Sequence, residues 1–239
     1  MQTSGKNNTL EHELFALRDA KYATFSAKLI PNIDPKSIIG VRAPCLKRIA
    51  KEMGADDSFL LQLPHRWHEE NMLHAYILCS VDDFDSALAL TERFLPFVSN
   101  WAVCDSLLPK AFARHAEKLL EPANQTRSKP HASCLASWLH TDHEYSVRFG
   151  ISMLMRLSLD NRFNPKYLQW VADIKRDEYY VRMMQAWFFA TALAKQWDAS
   201  IPFLQVGCLD EWVRRKSLQK ALESFRISSD QKNFLRTLR

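Results

Sequence analysis

The chain has 239 residues, 47% hydrophobic and 25% charged, a composition that supplies a core of its own and excludes a disordered or collagen-like chain. Five glycines and ten prolines are too few turn residues for an all-β sandwich or barrel, and the glycines stand singly, so the clustered glycines of Rossmann and P-loop nucleotide sites are missing. The net charge of +5 is uneven, because residues 212–239 carry eight basic side chains against Glu223 and Asp230; such a segment suits an anionic partner, nucleic acid above all, or is a solvated basic helix face.

In chain order, residues 1–8 are polar and lack the basic start and apolar stretch of a signal peptide. No window approaches the ~20 apolar residues of a membrane span. A cytoplasmic protein without membrane contact is expected. The cysteines Cys45, Cys79, Cys104, Cys134 and Cys208 form no CxxC pair and read as reduced, mostly buried thiols.

Apolar residues then recur at intervals of three and four. Leu10, Leu14, Leu17, Tyr22, Phe25 and Leu29 read as one long helix that stops before Pro31, with a loop at Pro35. Further helices are expected over 43–53, 66–78, 84–97, 101–115, 129–139, 145–157, 165–175, 179–197, 211–225 and 230–238, bounded by proline and by Asp, Asn and Ser N-caps. No segment reads as a strand.

An internal repeat organises the second half. Glu144-Tyr145-Ser146-Val147-Arg148 recurs 34 residues later as Glu178-Tyr179-Tyr180-Val181-Arg182, with an echo at Glu211-Trp212-Val213-Arg214. Each copy opens a helix with an acidic residue, favoured there by the helix dipole. Helix pairs with this period must stack to bury their apolar faces, so the expected fold is an all-α solenoid of HEAT-like repeats, one domain over residues 1–239 with a concave surface. Arg148 and Arg182 suit either hydrogen bonds between repeats or ligand contacts.

Three places could carry chemistry. Trp101 and Asp105 lie four apart on one face of a helix capped by Ser99 or Asn100; they are either a site or a core tryptophan beside a carboxylate that pairs with a neighbouring repeat. Trp187 sits in the apolar stretch 183–189, which by composition reads as core. His65, His68 and Glu69, with His74 four beyond Glu70, form a cluster in which the first three could share a helix face and hold a metal, but His115, His140 and His143 offer no matching pattern. Neither GxSxG nor HExxH occurs.

Taken together, Gly40-Val41-Arg42-Ala43-Pro44 leading into Leu46-Lys47-Arg48-Ile49, the Trp101–Asp105 pair, Val147-Arg148, the helix of Trp187 and the tail 224–228 resemble the DNA alkylation repair proteins of the AlkD type, alkylpurine DNA glycosylases of HEAT-like repeats. The resemblance runs from the first helix to the C-terminus and is greatest to a branch with an insertion at residues 32–39. It implies a C-shaped solenoid whose concave groove holds duplex DNA. It also implies hydrolysis of the glycosidic bond of cationic N3- or N7-alkylated purines, with Asp105 as catalytic carboxylate, Trp101 and Trp187 against the damaged nucleotide and Arg148 on the backbone. The basic residues Arg42, Lys47, Arg48, Arg182, Arg214 and Arg215 join Arg148 as expected DNA contacts. No metal, nucleotide or organic cofactor is implied, and a monomer is expected. The alternative from the residues alone is a non-catalytic HEAT-type module that binds duplex or branched DNA, or a protein.

Overall fold

The computed structural model describes residues 3–120, 134–205 and 207–239, which form two compact units, Met1–His115 and Ala116–Arg239. All regular structure among the described residues is helical, and none is strand.

The first unit contains α1 (Thr3–Ala16), α2 (Ala20–Leu29), α3 (Ala43–Met53), α4 (Asp57–Leu60), α5 (His68–Leu78), α6 (Phe84–Phe94), α7 (Trp101–Ser106) and α8 (Lys110–Arg114). The expected helix over 10–29 is two helices. Asp19 breaks it: its backbone is extended, its carboxylate accepts from Tyr22 N–H as the N-cap of α2, and its own N–H donates to Gly40 O at 3.1 Å. The expected helix over 101–115 also divides, at Pro109, where α8 begins.

Helix α5 is the centre of this unit and packs on both α3 and α7. Its Glu69 is 1% exposed, yet the carboxylate is fully employed. It accepts from the N–H groups of Ile39 at 3.0 Å, Gly40 at 2.8 Å and Val41 at 3.2 Å. Gly40 has φ +98°, and a Cβ there would stand 2.3 Å from Asp19 O, so only glycine lets the loop approach α2 this closely. The loop thus fixed delivers Arg42 and Pro44 to the start of α3, where Pro44 occupies the first turn at no hydrogen-bond cost.

The second unit contains α9 (Ala116–Leu120), α10 (Cys134–His140), α11 (Glu144–Leu157), α12 (Lys166–Ala172), α13 (Tyr179–Lys195), α14 (Trp197–Ser200), α15 (Glu211–Glu223) and α16 (Ser229–Thr237). The part of the helix expected from residue 129 that precedes α10 lies outside the described residues. Helix α13 packs on α11 and α15, while α10, α12 and α16 pack on α11, α13 and α15 in turn. This is the stacked arrangement of an α-solenoid. Phe149, Phe188 and Phe189 are fully buried within it. Of the cysteines expected to be buried thiols, Cys104 is buried, Cys45 and Cys79 are partly exposed and Cys208 is exposed, and all four lie outside any disulfide.

Candidate nucleic-acid interface

In the first unit Asn100, not Ser99, caps α7: its side chain accepts from Val103 N–H at 3.1 Å. That cap starts the helix at Trp101 and so puts Trp101 and Asp105 on its partly exposed side, with Val103 and Cys104 buried beneath. The Trp101 indole N–H donates to Leu29 O at 2.9 Å, which fixes the ring as one wall of a cavity of about 110 Å³. Tyr22, Leu29, Leu46, His68 and Met72 form other parts of the wall. Tyr22 went unmarked in the sequence, where it counted only as one apolar position of a helix.

The basic residues expected on α3 divide by their partners. The Arg42 guanidinium lies 4.8 Å from the centre of the Tyr22 ring and pairs with Asp19 at 2.8 Å. Arg48 pairs with Glu52 at 2.9 Å and Glu13 at 3.5 Å. Lys47 stands 5.5 Å over the Tyr76 ring. All three are exposed.

In the second unit the repeated Val-Arg step has a structural job. Arg148, on α11, is 3% exposed, and its Nη1 donates to Tyr180 O at 2.7 Å, which ties α11 to the first turn of α13. Arg182, on α13, reaches the N-cap of α15 in the same way, with Nη2 2.6 Å from Asp210. Burial would raise the Asp210 pKa, but the hydrogen bond from Arg182 and the N–H groups of Val213 and Trp212 hold it below the ordinary value. Arg214 is 5% exposed, grips Glu211 at 2.8 Å and donates to Leu238 O at 2.7 Å, which secures the end of α16. With Arg215 it depresses the Glu211 carboxyl to about 2.

What these ties leave partly or fully exposed is a row of rings and cations along α13 and α15. Tyr179, Met183 and Trp187 follow each other at helical spacing on one helix, as do Trp212, Lys216 and Lys220 on the other. Trp212 meets Tyr179 edge-on at 5.8 Å, with Arg182 5.0 Å and Lys216 5.8 Å from its centre. Lys220 stands 5.6 Å over Trp187. Trp187 is 45% exposed, so the reading of its apolar stretch as core fails there, and Met183 is partly exposed. Its neighbours Ala186, Phe188 and Phe189 are buried. Arg215 is exposed on the same helix as Trp212.

The histidines considered as metal ligands have other occupations. His65 Nε2 and His74 Nδ1 share a hydrogen bond of 2.8 Å, and His74 stacks on Phe94 at 3.8 Å. Among the described residues no group of three or more His, Cys, Asp and Glu is placed to hold a metal ion.

Aromatic faces beside exposed cations suit the sugar–phosphate backbone and π-faces of nucleic acid. A family model described as DNA alkylation repair enzyme matches residues 10–225. No curated protein matches the chain. No helix among the described residues is long and apolar enough to cross a membrane.

Proposed function

The chain belongs to the DNA alkylation repair enzyme family, and from that premise we propose that it is a DNA N-glycosylase, a hydrolase that releases purines alkylated at N3 or N7 from duplex DNA. The observation that carries this reading is Trp101 fixed as the wall of a cavity also lined by Tyr22, with Asp105 one turn further along α7. A purine alkylated at these positions is already cationic, so the bond to C1′ breaks with its electron pair passing to the base and no general acid is needed. The remaining task is to stabilise the cationic sugar and orient the water whose oxygen adds to C1′ while its proton passes to solvent. Asp105 supplies the negative charge, and Trp101 and Tyr22 offer ring faces to the same cation; Trp187, in the second unit, offers its exposed ring to the DNA backbone. Arg42, Lys47, Arg48 and Arg215 are the exposed cations for phosphates, with the partly exposed Lys216, Lys220 and Arg182 beside them; Arg148 and Arg214 are buried and act as ties.

In this reading one repeat domain, acting as a monomer in the cytoplasm, needs no cofactor for the step. The test is release of 7-methylguanine from methylated duplex DNA by the wild type and by Asp105→Asn. Loss of the charge should slow release about a hundredfold or more, a few kcal/mol of transition-state stabilisation, with DNA affinity and folding retained. Equal rates would remove Asp105 from the chemistry. The ring-and-cation row on α13 and α15 also suits a DNA-binding module without catalysis, and binding of methylated duplex with no base released would establish that second reading.

A further inference from the structure

Helix α2 has two working faces. Tyr22, Ser26 and Leu29 line the cavity beside Trp101, whereas Ala20, Ala23, Thr24, Ala27 and Lys28 line a separate, larger groove of about 800 Å³. The floor and walls of that groove are apolar: Phe15 of α1, Ile38 and Ile39 of the loop before α3, and Trp67. Phe15 is 39% exposed and meets Trp67 edge-on at 5.2 Å, so its ring is held in place at the groove. The short side chains on α2 keep the floor open.

Its charge is of one sign. Arg18, Lys28 and Lys36 line the groove, and no acidic residue does. All three are exposed, and none forms an ion pair with a described residue. The carboxylates nearest in sequence are committed elsewhere. Glu11 accepts from Trp67 Nε1 at 2.9 Å and pairs with Arg66 at 3.7 Å; Asp19 caps α2 and pairs with Arg42; Asp34 caps the short turn at Pro35–Ser37.

We propose that this groove is a docking site for a protein segment of acidic, amphipathic character, with apolar side chains seated between Phe15, Trp67 and Ile38 and carboxylates paired with Arg18, Lys28 and Lys36. Unlike the row on α13 and α15, where cations stand over the rings, this groove is floored by Ala20, Ala23 and Ala27, which give bases no surface to stack on, while cations around an apolar groove match a helix-in-groove partner that presents both features. Because the groove occupies the face of α2 opposite the Trp101 cavity, a segment bound here leaves that cavity open. The site therefore serves to bring the protein to a partner, and it stands independently of the glycosylase reading.

The experiment uses the full chain and a synthetic fifteen-residue helical peptide with leucines at i, i+3, i+4 and i+7 flanked by glutamates, read by the Trp67 contribution to fluorescence and by calorimetry. A peptide of the same composition with its leucines dispersed around the helix, and a DNA duplex, are the competitors. The expected result is saturable binding of the amphipathic peptide, weakened roughly tenfold or more by Lys28→Glu with Lys36→Glu and by Ala27→Trp, which fills the groove. Trp187→Ala should leave it unchanged. Absence of saturable binding, equal binding of the dispersed peptide, displacement by the duplex, or concentration-dependent dimerisation abolished by Ala27→Trp would each overturn the proposal, the last two in favour of a phosphate surface and of a second copy of the chain.

Discussion

At the scale of single residues, the buried polar groups set the sharpest expectations. Glu69 satisfies three N–H groups of the loop before α3 at 1% exposure, and each buried donor left unpaired costs about 1–3 kcal/mol. Glu69→Ala should therefore lower stability in urea by about 3 kcal/mol or more, and Glu69→Gln, which keeps one acceptor, by less. A change below 1 kcal/mol for the alanine variant would show that the loop finds other acceptors. His65 and His74 contribute a pH dependence, beside His68 and His143, whose pKa values burial also lowers. Burial holds His65 down to about 4 and His74 to about 3, the neighbouring His65 ring adding to the effect on His74. Both pKa values are depressed, so the unfolded chain takes up protons from pH 6.5 downward while the folded chain does not. Stability is complete above pH 6.5 and falls as the pH drops toward 4, by up to about 2 kcal/mol per histidine between pH 6.5 and 5. Thermal melts over that range should show the loss, and a variant with glutamine at both positions should have a flatter acid limb. An unchanged limb would assign the loss to other groups.

At the scale of elements, the Val-Arg repeat and the helix ends show what local chemistry dictates. Arg148 and Arg182 each reach the first turn or cap of the next long helix, which is why the motif returns with the repeat period. Arg148→Met should lower stability by about 2 kcal/mol, since it removes a charged donor from the part-buried Tyr180 carbonyl. Arg215→Ala, at a side chain 75% exposed, should change it by no more than about 0.5 kcal/mol. Comparable melting temperatures for the two variants would deny Arg148 its role as a tie. The same logic separates what was legible in the sequence from what was not. Helix α3 appears at its expected bounds, 43–53, because Pro44 and Gly54 mark its ends locally. The break at Asp19 was hidden because, although its cap on Tyr22 N–H is local, its own N–H leaves the helix for a carbonyl at Gly40, distant in sequence. Composition hid Trp187 too: α13 is apolar on most sides, and only packing against α15 decides which ring stays outside. Of the candidate site, the Trp101–Asp105 spacing was readable from its helical period, whereas Tyr22 becomes visible only when α2 is laid beside α7.

At the scale of the whole molecule, charge decides how the protein meets its substrate. The basic segment 212–239, which in sequence suits an anionic partner or a solvated helix face, divides in the structure between buried ties such as Arg214 and partly or fully exposed cations such as Arg215, Lys216 and Lys220. Only the latter can displace counterions from DNA. If they act with Arg42, Lys47 and Arg48, about six phosphates are neutralised, and the logarithm of duplex affinity should fall with the logarithm of salt at a slope near −5. Fluorescence anisotropy with an undamaged duplex between 50 and 200 mM salt measures this directly, with a loss of about a thousandfold expected across the range. Replacing Lys216 and Lys220 together by alanine should make the slope shallower by about 2 and weaken binding to all sequences alike, since backbone contacts carry no sequence information. Lys28→Glu with Lys36→Glu, in the separate groove of the first unit, should leave the slope as it was. A slope near zero in the wild type would show that phosphate contacts do not drive binding, and with it both DNA readings would lose their electrostatic basis.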